Sequence, residues 1–67
     1  MRTWQVLKIE DHGKRFQVVY HEGCERPYWI YRITDVPTEH GYYRQRKTLE
    51  GKCWKMETCM IYLTQQF

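Results

Sequence analysis

Sixty-seven residues exclude a second domain, because a domain usually takes roughly 100 to 200 residues and this chain has room for one core. So short a chain buries only about 60% of its unfolded surface, which leaves it marginal unless it dimerises, binds a metal or carries disulfides. Eleven Lys and Arg against eight Asp and Glu give a net charge of +3, basic enough to permit a polyanion partner but not to require one.

Thr3-Trp4-Gln5-Val6-Leu7-Lys8-Ile9 is rich in β-branched and aromatic residues, and the Asp and Gly of Glu10-Asp11-His12-Gly13-Lys14 favour a turn. A first strand over about 3–9 and a second over about 15–21 follow. Successive strand side chains alternate sides, so Phe16, Val18 and Tyr20 share one face of the second strand while Arg15, Gln17, Val19 and His21 share the other. Gly23 and Pro27 punctuate a loop. The third strand, about 28–34, has the strongest β composition in the chain. Its faces are Tyr28, Ile30 and Arg32 against Trp29, Tyr31 and Ile33, and the second set is expected to be the buried one.

Asp35 to Gly41 is a polar connection carrying Pro37 and Gly41, after which Tyr42 to Lys47 reads as a short fourth strand whose basic residues suit a sheet edge. The last segment has a helical period: Leu49, Cys53, Met56, Met60, Leu63 and Phe67 lie four, three, four, three and four apart. A helix over about 49–65 is predicted, with Thr48 as its N-cap and Glu50 in its first turn. The expected fold is α+β, a three- to four-stranded antiparallel β-meander packed on one face by a C-terminal α-helix.

The three cysteines, Cys24, Cys53 and Cys59, have no recurring spacing and do not outline a disulfide framework. On a helix, residues six apart diverge by about 120°, so Cys53 and Cys59 are not expected to meet. His21 and Cys24 are the one close His/Cys pair, and zinc motifs normally bring two such pairs, so neither a metal nor another cofactor is expected. There is no GxGxxG, P-loop, GxSxG or HExxH motif, and the expectation is a chain without catalytic residues. Neither a secretory h-region nor about 18 consecutive apolar residues can be found, which points to a reduced, cytoplasmic protein that does not enter a membrane.

Aromatic residues make up 16% of the chain, more than one small core hides, so binding is the expected activity. A lone helix covers one side of a sheet. If it covers Trp29, Tyr31 and Ile33, the opposite side offers Phe16, Tyr20, Tyr28, Arg32, Arg44 and Arg46 to a nucleic acid, rings stacking on bases while guanidinium groups neutralise phosphates. The competing expectation is a protein partner or a second copy of the chain held by Trp54 and Ile61, one heptad apart on the helix.

Gly13-Lys14-Arg15-Phe16-Gln17-Val18-Val19-Tyr20, then the aromatic and basic strands, then Lys47-Thr48 opening a helix, resembles the arm-type DNA-binding domain at the N-terminus of tyrosine recombinases. The resemblance spans most of the chain. It implies a three-stranded sheet backed by a C-terminal helix, with the sheet reading DNA. A free-standing relative would be a DNA-binding accessory protein and not an integrase.

Overall fold

The first chain reversal falls at His12-Gly13, where both residues have positive φ (51° and 76°). A two-residue hairpin needs that pair of left-handed conformations, which match the right-handed twist of its strands and cost glycine nothing. The structure, a computed structural model, describes residues 2–67. This turn joins β1 (Thr3–Asp11) to β2 (Lys14–His21), and β3 (Tyr28–Pro37), β4 (Tyr43–Cys53) and α1 (Met56–Thr64) follow. The strands form one antiparallel sheet in the order β1-β2-β3-β4, so the α+β meander with a C-terminal helix is the fold observed.

Register decides what each face carries. Phe16 lies between Ile9 and Arg32, Val18 between Leu7 and Ile30, and Tyr20 between Trp4 and Tyr28, while Tyr28 also pairs with Cys53. Onto that face α1 lays Cys59 and Leu63, closing a core of Phe16, Val18, Ile30, Cys53, Cys59 and Leu63. At about 25 cal/mol per Å² of apolar surface removed from water, these few side chains dominate the fold's stability. Two bulges interrupt the ladders, one at Val6 in β1 and one at Glu50 in β4. The second lets Glu50 reach the Nε of Arg32 at 2.6 Å.

Two expectations are corrected here. The helix does not run over 49–65: Leu49 to Cys53 complete β4, and α1 begins only at Met56, after an extended Lys55. Tyr28 to Tyr31 offer every residue of this stretch but the bulged Glu50 a backbone partner, and Gly51, a poor helix residue, sits opposite Ile30. Thr48 therefore pairs with Arg32 and caps nothing. The apolar stripe breaks accordingly. Leu49 and Met60 are exposed, whereas Cys59, absent from that stripe, has no exposed surface.

The second correction concerns the covered face, which is the Phe16, Val18, Tyr28, Ile30 side and not the Trp29, Tyr31, Ile33 side, although Ile33 is itself buried as expected. Pairing puts Arg15, Gln17 and His21 on the same side as Trp29 and Tyr31. A helix there would strip water from groups for which it offers no partners, at a cost of roughly 1–3 kcal/mol each.

Beyond the Arg15–Ile33 pair, β2 ends and β3 and β4 continue alone. Thr34 faces Arg46, Asp35 faces Gln45, Val36 faces Arg44 and Pro37 faces Tyr43, making a two-stranded ribbon about 13 Å long. The Thr38 amide closes its tip on the Tyr42 carbonyl at 2.7 Å, and the Thr38 hydroxyl accepts from the Tyr42 amide at 3.2 Å. The whole molecule is accordingly long and flat, 40 × 30 × 15 Å.

Candidate nucleic-acid interface

The ribbon is open to solvent along its β4 side, where every residue from Glu39 to Leu49 is exposed. Alternation sends Arg44 and Arg46 to the side that carries the helix farther along the sheet, and Tyr43, Gln45 and Lys47 to the other. A shallow cleft lined by Val36, Thr38, Glu39, Arg44 and Arg46 opens on it. The ion pairs among the described residues are Arg15–Asp35 at 2.8 Å, Arg32–Glu50 at 2.6 Å and the His12–Asp11 contact at 3.0 Å. Arg44, Arg46 and Lys47 take part in none of them, so their charge is free to act on a ligand. Tyr42 and Tyr43, 74% and 75% exposed, flank that charge with bare rings.

Of the six residues that sequence pattern assigns to a nucleic-acid face, Arg44 and Arg46 stand together in the open. The other four are committed elsewhere. Phe16 is 1% exposed beneath the helix. Tyr20 and Tyr28 are half-buried in an aromatic row, with ring centroids 4.7 Å from Trp4 to Tyr20 and 5.1 Å from Tyr20 to Tyr28. Arg32 is held by Glu50, lies 5.4 Å over the Phe16 ring and donates to the Gln66 side chain at 3.4 Å. The continuous face of rings and guanidinium groups expected from these residues is therefore not present. The helix covers part of it, and the remainder serves the packing.

Trp54 and Ile61 are exposed but do not share a helix face, because Trp54 precedes the first turn of α1 and lies against the Arg26 guanidinium, 5.5 Å from its ring.

The side of the sheet opposite the helix carries groups that strand-by-strand reading set in the core. Trp29 stacks on His21 with ring centroids 3.6 Å apart, and the Lys52 ammonium lies 4.1 Å from the same indole. The Tyr31 hydroxyl is 3.4 Å from His21 Nε2, and burial pushes its phenol above the usual value. The signal that finds this face is the polar set Arg15, Gln17 and His21 on β2, which antiparallel pairing ties to Trp29 and Tyr31.

The two core cysteines meet, against the expectation from helical spacing, because Cys53 ends a strand and Cys59 sits on the helix above it. Burial first, then the hydrogen bond and charge of Cys53, push the Cys59 thiol from 9.0 up to about 12. Its folded value exceeds the unfolded one, so the stability tied to its proton is complete below about pH 9 and is lost as pH rises toward about 12. Urea midpoints should fall over that range, and a Cys59→Val variant should fall less steeply; equal slopes would mean that the thiol is not the group responsible.

Comparison with known protein families, with characterised proteins and with solved structures finds no match to this chain. Among the described residues no helix is long and apolar enough to cross a membrane.

Proposed function

We propose that the chain is a non-enzymatic binding module that takes double-stranded nucleic acid on the β3–β4 ribbon. The observation that carries this reading is the pair Arg44 and Arg46, exposed and unpaired on one side of a narrow ribbon that outruns the rest of the sheet. A B-form major groove is about 12 Å wide and admits a two-stranded ribbon. Arg binds the guanine edge through two parallel hydrogen bonds or pairs with phosphate. The resemblance to the arm-type domain of tyrosine recombinases points to the same ligand, with the ribbon in place of the sheet face as the reading element.

Titration of labelled duplex DNA at two salt concentrations tests the reading. Two phosphate contacts imply a logarithmic salt slope of about −1.8, or roughly 12-fold weaker binding at 200 mM than at 50 mM salt. Binding that ignores salt, or none at 50 mM, rejects it.

A further inference from the structure

We infer that the open face of the sheet docks an acidic amphipathic segment of another protein, its apolar side chains on Val19, Trp29, Tyr31 and Leu49 and its carboxylates on Lys47 and Lys52. This surface is separate from the face of the ribbon that carries Arg44 and Arg46.

An antiparallel sheet that faces water on one side normally alternates apolar-in with polar-out. β1 and β2 largely keep the rule on the open face, with Gln5, Lys8 and Glu10 on one and Arg15 and Gln17 on the other. The centre of the face breaks it. Half-buried Trp29 and Tyr31 of β3 point the same way as half-buried Val19 beside them and Leu49 on the far side, which is 43% exposed, while Ile33 at the end of the row is buried. An apolar band with a polar rim marks an interaction site.

The rim states the charge of the occupant. Lys8, Lys47 and Lys52 are exposed and take part in none of the ion pairs of the described residues. The carboxylates that the strands put on this side are Glu10 and Asp35, and Asp35 is held by Arg15 at 2.8 Å. A second copy laid face to face would bring lysine rim against lysine rim, which like-charge repulsion opposes.

The geometry of Trp29 argues against bases. His21 and Lys52 come from the strands on either side of β3, so the imidazole at 3.6 Å and the ammonium at 4.1 Å occupy opposite faces of the indole. Stacking on a base needs a free ring face, and here the ring offers its edge. Its N–H is already spent on the Arg26 carbonyl at 2.9 Å. A row of ring edges and aliphatic groups suits the side chains of a protein segment.

Heteronuclear NMR on the full chain tests this with a synthetic peptide about five helical turns long, Leu along one face and Glu elsewhere. Three controls are its Lys-for-Glu counterpart, its Ser-for-Leu counterpart and oligothymidylate. The Glu/Leu peptide should move the Trp29 indole N–H and the Tyr31 and Leu49 amides, and the controls should move them far less. Lys52→Glu should weaken it at least tenfold with the spectrum still dispersed, and Arg44→Ala/Arg46→Ala should leave it unchanged. No movement at Trp29, an equal response to either control peptide, or a larger response to the oligonucleotide overturns the inference.

Discussion

Phe16→Ala is expected to remove most of the chain's stability, about 3–5 kcal/mol by the usual cost of emptying a buried phenylalanine site. A domain of 67 residues holds roughly 3–10 kcal/mol in total. Phe16 is 1% exposed, touches the edge of Phe67 with centroids 5.7 Å apart and carries the Arg32 guanidinium, so its loss opens a cavity that neighbours on three elements border. Urea denaturation followed by circular dichroism should show the transition shifted to very low denaturant or absent. Leu49→Ala, on the open face, should cost under about 1 kcal/mol. The comparison identifies the covered side of the sheet: a loss below about 1 kcal/mol at Phe16 would mean that the ring is not under the helix.

Arg44→Ala/Arg46→Ala should lower affinity for duplex DNA about 10- to 100-fold at 50 mM salt, at roughly 1 kcal/mol or more per lost contact. If both contacts are to phosphate, the salt slope should also become shallower by about 1.8, two contacts at about 0.9 each. Both side chains are exposed and outside the ion pairs, so the unfolding midpoint should move by no more than about 0.5 kcal/mol. Fluorescence anisotropy on a labelled duplex measures both quantities. An unchanged affinity would exclude the ribbon as the contact surface. Arg44→Lys/Arg46→Lys separates base reading from charge, since lysine keeps the charge but lacks the two-pronged donor.

How far the sequence carried depended on whether a feature is local. β-Branched and aromatic composition in Thr3 to Ile9, Arg15 to His21 and Tyr28 to Thr34 marks three strands, and the Asp and Gly of Glu10 to Lys14 mark the turn between the first two, because both signals are complete within a few residues. The boundary between β4 and α1 is not local. Leu49 and Cys53 fit a helical period as well as a strand, and the ladder offered by Tyr28 to Tyr31, some twenty residues earlier, decides the matter. The choice of covered face is also a property of the assembled sheet. Each strand displays two candidate sides, and only the pairing of β2 with β3 shows that one of them brings Arg15, Gln17 and His21 along. Arg44 and Arg46 stayed legible as exposed cations because their exposure depends on the ribbon outrunning its neighbours and not on which side the helix takes.

The bulge at Val6 bears on what the protein avoids. β1 is an outer strand, and a flat outer strand with Trp4 and Val6 partly uncovered would template the growth of a fibril by adding strands from other molecules. The extra residue coils the strand and spoils the regular spacing of its outward amides and carbonyls, so an incoming chain meets no continuous row to zip onto. At the other border the same protection comes from repulsion between the cations of β4. A chain too small to hide its borders thus guards both by shape, through the bulges at Val6 and Glu50, and the second also by charge.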